Sequence, residues 1–272
     1  MGEYILRLKY SLSQLKNIRL WIPDLLLVFI TLLLTFLVIY INNLTSIIYA
    51  TNPIETFKTE ISSILQHTPS LIKFIITFVI GLLINLLTGI SLSTIKYELI
   101  KETIDNKKIN FNSLIKTSKG YIWPLFKLKF IIFLIYFIPL LILIYLLIIN
   151  KFRFLAILLM VILLIIVKLF FLFRIPSLFY KTKNSIKVLK HAYEIFRKTY
   201  KKTIIILLLI TFINIILVAI LSASSVFEQY VASKFAFYST TLLMFILRTI
   251  INLAFALLID IFIFKNYKEI TS

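Results

Sequence analysis

The sequence predicts an all-α fold, an integral membrane six-helix bundle, on three observations. Of 272 residues, 61% are hydrophobic, and the mean hydropathy is +1.02. A soluble domain holds roughly 45–50% apolar residues, so this surplus has no place in a water-facing fold of this size. The apolar residues also run continuously over six stretches of roughly the 20 residues a helix needs to cross a bilayer. A transmembrane barrel would instead alternate polar and apolar residues over segments of about ten. Finally, Gly (4) and Pro (6) are scarce, which favours long helices joined by short connections.

Taken in order, the first span covers about 25–49, with Asn42, Asn43 and Thr45 marking an early exit from the hydrocarbon. Its apolar run is too long for the core of a cleavable signal, and no small-x-small site follows it. The second covers about 71–95, the third 130–149 and the fourth 152–173. Only Asn150-Lys151 and the nearby Arg153 separate the third and fourth, which predicts an antiparallel hairpin. The fifth covers about 203–224 and the sixth 238–264, and all six belong to one polytopic domain over 1–272.

Lys and Arg are distributed unevenly among the connections. Four lie before span one, eight between spans two and three, nine between spans four and five, and two (Lys265 and Lys268) after span six. The opposite side holds five: Lys58, Lys73, Lys151, Arg153 and Lys234. Basic residues are retained on the cytoplasmic side of membrane proteins, so a cell-membrane protein with both termini cytoplasmic is expected. The same rule accounts for the net charge of +19 without nucleic acid, alongside a composition rich in Ile, Lys and Asn.

Three of the basic segments are amphipathic. Ile5, Leu8, Leu12, Leu15 and Ile18 recur at helical spacing, as do Phe111, Leu114, Ile115, Ile122 and Leu125, and Ile186, Leu189, Tyr193 and Phe196. Each predicts a helix lying in the interface, apolar side toward acyl chains and basic side toward headgroups. The second and third match at an offset of 72, placing Ser113, Tyr121 and Lys129 on Ser185, Tyr193 and Lys201, and Asn112-Ser113-Leu114 on Asn184-Ser185-Ile186. Leu20-Trp21-Ile22-Pro23 echoes Tyr121-Ile122-Trp123-Pro124. Two readings stand: three repeats of an interfacial helix plus a transmembrane hairpin, or likeness imposed by a biased composition. The basic side chains Arg174, Lys187, Lys190 and Arg197 are candidate contacts for anionic lipid headgroups, although holding depth and orientation would also account for them.

Ionisable groups inside spans are costly and are candidate functional residues. Lys168 and Asp260 stand near the inner ends of spans four and six, and Arg248 stands deeper in span six. Lys168 and Asp260 are expected at one depth, either paired across the spans or separately engaged, with Lys168 snorkelling and Asp260 meeting Lys265 or water. Arg248, twelve residues from Asp260, is about 18 Å away along a straight helix and cannot reach it. It could balance an anion or bond carbonyls in the bundle. Asn85, Thr88, Asn214 and Asn252 add polar groups at mid-span depth. Gly89 with Ser93, and Ala219 with Ala223, have the small-xxx-small spacing that permits close helix contact.

Other chemistry is thin. Without cysteine there is no disulfide or thiolate nucleophile. Neither His67 nor His191 has a His or Cys partner at i+3 or i+4, and His191, among lysines, is expected on a solvated surface. The four glycines are too dispersed for a phosphate loop. Glu98, Glu102 and Asp105 cluster before span three, where pairing with Lys101 and other basic neighbours is the simpler expectation. Asn43-Leu44-Thr45 fits the glycosylation pattern but lies too close to span one to serve. No cofactor or metal is expected.

The stretch Phe173-Arg174-Ile175-Pro176, followed by Val188-Leu189-Lys190-His191-Ala192-Tyr193 ahead of span five, resembles a broad group of prokaryotic six-span proteins. That group includes the membrane domain attached to some glycerophosphodiester phosphodiesterases. In such proteins an Arg and a Pro close span four and an amphipathic helix follows. Here Ala192 and Tyr193 stand where Ser and Trp are usual. The resemblance implies a membrane-embedded accessory or anchoring module, not phosphodiesterase activity. A non-enzymatic module that organises membrane lipids or holds a membrane protein partner is therefore the first expectation. A small-solute or ion transporter is the alternative, and a lipid-modifying enzyme ranks last for want of catalytic groups.

Overall fold

The computed structural model of the chain describes residues 2–44, 53–107, 109–148, 153–232 and 237–272, and among these the regular structure is helical, with no strand. In chain order the helices are α1 (Gly2–Gln14), α2 (Ile22–Ile41), α3 (Pro53–Gln66), α4 (Thr68–Ile104), α5 (Phe111–Lys119), α6 (Ile122–Ile148), α7 (Arg153–Phe170), α8 (Arg174–Tyr180), α9 (Ser185–Lys198), α10 (Tyr200–Ala232) and α11 (Phe237–Thr271). A 3₁₀ turn, Ile18–Leu20, joins α1 to α2. Six of the helices (α2, α4, α6, α7, α10 and α11) contain segments long and apolar enough to cross a membrane. The turn at Asn150-Lys151, Lys108, Lys234 and Thr45 of the sequon lie outside the described residues.

Asparagine and proline set most helix ends. Asn110 and Asn184 are N-caps: Asn110 accepts from the Asn112 amide, and Asn184 from the amides of Ile186 and Lys187. Asn43 and Asn106 take positive φ values of 57° and 53° and stop α2 and α4. Beyond each, an amide reaches back five residues, Leu44 to Ile39 and Lys107 to Glu102, in the pattern usually closed by glycine. Pro23, Pro53, Pro69, Pro124 and Pro176 all fall in a helix's first turn, where an amide proton has no intrahelical partner to lose. Pro139 alone stands inside a helix, α6.

Several expected boundaries shift. The first span stops at Ile41, short of residue 49. α4 runs nine residues past the expected end at 95, so Lys96, Glu98, Lys101 and Glu102 are helical rather than loop residues. α11 likewise continues to Thr271. In the second basic segment α5 ends at Lys119, and Ile122 and Leu125 belong to the spanning helix α6. The order of a short amphipathic helix followed by two spans does recur three times, with α3 and α8 interposed. The equivalence of α5 and α9, however, aligns Asn110 with Asn184, so the caps are offset by 74 rather than 72.

The chain forms two compact units, one of residues 1–21 and 94–272 and one of residues 22–93. In the smaller unit α2 meets the first part of α4 through a polar ladder. Thr31 donates to Asn85 Oδ1 at 2.9 Å, and Asn42 donates to Thr77 Oγ1 at 2.8 Å. A Cβ added at Gly89 would make ordinary van der Waals contact with the Leu27 side chain at 3.6 Å, so that position does not require a glycine. Ala219 and Ala223 in the larger unit are exposed.

The core of the larger unit sits at the basic end of its spans. Leu99, Leu114, Leu125, Leu128, Leu178, Ile206, Leu257 and Phe262 are fully buried there. Tyr97, Phe179, Tyr180, Phe264 and Tyr267 form an aromatic cluster around them, with Tyr97 stacked on Phe264 and Tyr121 on Phe179. α9 is fastened to α6 by Ser185 donating to the Pro124 carbonyl at 2.9 Å. α1 packs on α11 through Arg7, which donates to Asn266 Oδ1 at 2.9 Å. Away from this end, the apolar windows of the six spans bury at most 22% of their residues against protein.

The caps carry a measurable consequence. Asn184→Ala should lower stability by about 1 kcal/mol, the usual cost of a lost N-cap. Asn112→Ala, which removes no cap, should leave the thermal unfolding of the micelle-embedded protein unchanged. Equal effects from both would refute the assignment of helix starts.

A candidate cationic cleft and the amphipathic helices around it

At the basic end of the larger unit, α4, α6, α7, α8, α10 and α11 surround a cleft of about 330 Å³. Its polar lining comes from Lys129 on α6, Lys168 on α7, Arg174 at the start of α8, Thr211 and Asn214 on α10, and Asp260 on α11. Leu172, Leu207, Ile210 and Ile263 supply apolar wall. Each charged group is placed by a local feature of the sequence. α7 ends at Phe170, and Arg174 opens the next helix while donating from Nη1 to the Phe171 carbonyl at 2.9 Å. Asp260 stands on a helix whose neighbouring residues Leu257, Leu258, Ile261 and Phe262 are buried, which leaves it half-buried at the wall.

The partner of Asp260 is Lys96, whose Nζ lies 2.8 Å from Oδ2, with the lysine side chain only 8% exposed. The expected Lys168–Asp260 pair does not form, although both residues line the cleft. Lys265 is not the partner either, since it pairs with Glu269 at 2.8 Å. The extension of α4 explains the difference. Hydropathy alone places Lys96 in a connection, but α4 continues past it and carries it to α11. Among ion pairs of the described residues, Asp105–Lys268 at 2.7 Å ties the residue just past the end of α4 to α11, and Glu98–Lys101 at 3.1 Å is local to α4.

Of the other predicted site residues, Lys168, Asn214, Asp260 and Arg174 meet in the cleft. Arg248 does not. Its guanidinium lies 2.7 Å from Glu228 Oε2 and donates from Nε to Ser224 Oγ at 2.9 Å, which staples α11 to α10. Asn252 is exposed, and Asn85 belongs to the α2–α4 ladder of the smaller unit. The sequence does not single out Lys129 or Lys96 as site residues. Their sequence signal is position: each stands within a few residues of an apolar run, where a helix extended by one turn carries it inward.

Lys187, Lys190 and Arg197 lie exposed on α9, which has three sectors. Ser185, Val188, Ala192 and Ile195 are buried against protein. Beside them comes a partly exposed apolar row of Leu189, Phe196, Ile186 and Tyr193, the last two 72% and 44% exposed, and then the basic row. The predicted apolar stripe is thus the outward row, not the packed one. α1 behaves likewise: Tyr4 and Ser11 are buried, while Ile5, Leu6 and Leu12 face away from the protein. In α5, Leu114 is buried, with Phe111 and Ile115 outward.

His191 is not on a fully solvated surface. It is half-buried, with Nε2 3.3 Å from the Tyr267 hydroxyl. Burial and the charges of Lys181 and Lys198 hold the imidazole below its ordinary range, against the opposing pull of Glu194.

Comparison with protein families, curated proteins and solved structures finds no match to this chain.

Two measurements check this geometry. A double-mutant cycle on Lys96→Met and Asp260→Asn should give a coupling of roughly 0.5–3 kcal/mol. The Lys168→Met and Asp260→Asn cycle should give less, and the reverse order would refute the pair. For His191, NMR titration should place the midpoint below that of an unstructured histidine. Because folding depresses this pKa, the stabilising contribution is present above the ordinary pKa and is lost as pH falls through the folded value. Lys181→Gln should move the midpoint upward.

Proposed function

We propose that this chain is a non-enzymatic, multi-pass cell-membrane module that gathers anionic lipid at its basic end, taken as the cytoplasmic face. The observation that carries the reading is the outward apolar row on each of α1, α5 and α9, with exposed basic residues near it: Lys9 on α1 and Lys16 just beyond its end, Lys116 and Lys119 on α5, and Lys187, Lys190 and Arg197 on α9. A helix fastened to protein on one side, with an apolar row and a basic row on its free surface, suits the boundary between acyl chains and headgroups. The resemblance to the membrane domain of some glycerophosphodiester phosphodiesterases, which implies an accessory module, points the same way.

Two ion pairs weigh against solute transport. The charges proposed for a pathway, Arg248 and Asp260, are engaged by Glu228 and Lys96. Moving an ion through either site would first require breaking a pair in a medium that makes separation costly.

Spin-labelled lipids test the reading. With the protein reconstituted in phosphatidylcholine, labelled phosphatidylglycerol should associate with it several-fold more strongly than labelled phosphatidylcholine. Replacing Lys187, Lys190 and Arg197 together by Gln should reduce that preference, each charge contributing about 1 kcal/mol near an anionic surface. Equal association of the two lipids with the unmodified protein would overturn the reading.

A further inference from the structure

We infer that the cleft between α6, α7, α8, α10 and α11 is a site for the phosphomonoester head of a single phosphatidate-type lipid, entered sideways from the surrounding leaflet. The inference rests on the lipid-organising reading above and adds a specific place and chemistry to it.

Charge comes first. Lys129, Lys168 and Arg174 reach the cleft from three different helices, while its one carboxylate, Asp260, is engaged by Lys96 at 2.8 Å. By formal charge the lining is cationic in excess, which suits an anion of more than one charge. A phosphomonoester meets that need, because its second ionisation lies near pH 6 and its terminal oxygens are unshielded. Arg174 is held by its bond to the Phe171 carbonyl, and a guanidinium carries five donors in a fixed fork suited to two phosphate oxygens.

Shape and surroundings argue for a lipid over a free anion. Leu172, Leu207, Ile210 and Ile263 line the same cleft as the charges, so the occupant has an apolar part. Around it, Ile165 and Ile166 on α7 and Leu208 and Phe212 on α10 are 40–62% exposed. These belong to apolar windows of the spans, so the cleft opens among residues suited to lipid rather than water. A volume of about 330 Å³ lies at the small end of ligand sites, enough for a compact head and the first carbons of its tail.

The test uses the full chain in mild detergent, with thermal unfolding and native mass spectrometry as readouts. The probes are dioleoyl phosphatidate, dioleoyl phosphatidylcholine and inorganic phosphate. Phosphatidate should bind one per chain and raise the unfolding temperature, and phosphatidylcholine should do neither. Lys168→Gln should weaken phosphatidate on the order of tenfold, the loss of one charge-assisted hydrogen bond. Lys168 is exposed at the cleft, so this variant should fold where Arg174→Gln, which also removes the bond to Phe171, need not. The triple Gln variant at Lys187, Lys190 and Arg197 should leave phosphatidate binding within twofold. Phosphatidate no tighter than phosphatidylcholine would overturn the inference. So would equal weakening by Lys168→Gln and the triple variant, which would locate the selectivity on the outer helices and leave the broader lipid reading standing. Stabilisation by millimolar inorganic phosphate, with displacement of phosphatidate, would assign the cleft to a free anion instead.

Discussion

The Lys96–Asp260 ion pair is the interaction on which the basic end of this protein depends. It ties the C-terminal part of α4 to α11, and Asp105–Lys268 repeats the tie about two turns further along, from just past the end of α4. Between the two ties lie the stacked rings of Tyr97 and Phe264, so polar clamps and aromatic packing fix one relationship. A buried ion pair adds little net stability, because desolvating two charges offsets most of their attraction. Its effect is on choice: an unpaired carboxylate beside Phe264 and Ile263 would be costly in any other register, so α4 and α11 have one favourable alignment. With that alignment set, α8 and α9 close over the aromatic cluster, and the cleft lies alongside.

The spans themselves are not where the fold is secured. Their apolar windows bury little against protein, whereas fully buried leucines and aromatics concentrate at the basic end. Inside a bilayer this is economical, since lipid tails solvate Leu and Ile as well as another helix does and the hydrophobic effect gives spans no reason to associate. Specific polar contacts do that work instead. Arg248 with Glu228 and Ser224 fastens α10 to α11, and Thr31 with Asn85 fastens α2 to α4.

These two facts explain what the sequence discloses. The helical class and all six spans are legible because hydropathy reports directly on which residues suit lipid. Helix ends are not, because the same helix continues into a region where it packs on protein and carries Lys96, Glu98 and Lys101. The members of the cleft were half legible. Lys168, Asp260, Asn214 and Arg174 stand out as polar groups at apolar positions, while Lys96 and Lys129 look like ordinary flanking lysines. Pairing was not legible at all, since Lys168 and Lys96 are chemically equal candidates for Asp260 and only the packing of α4 on α11 separates them. Periodicity has the same blind spot: the stripe of Ile5, Leu8 and Leu12 identifies an amphipathic α1, but not that Ile5 and Leu12 face away from the protein while Leu8 packs on the core beside the inward Tyr4.

The residues around the cleft carry an excess of formal positive charge. Lys96, Lys129, Lys168 and Arg174 converge near a single carboxylate, and their mutual repulsion acts beside apolar surface where screening by water and salt is weak. Snorkelling relieves a lysine near a helix end, because its long stem can turn toward the headgroups. Arg174 has less freedom, held at the first turn of α8 by the Phe171 carbonyl and half-buried among the residues that seal the cleft. An arrangement that fixes a guanidinium while surrounding it with like charge is unfavourable alone and becomes favourable with an anion in place. The anion nearest to hand in a leaflet is a lipid phosphate, so the proposed ligand is also the component that would let the basic end pack as it does.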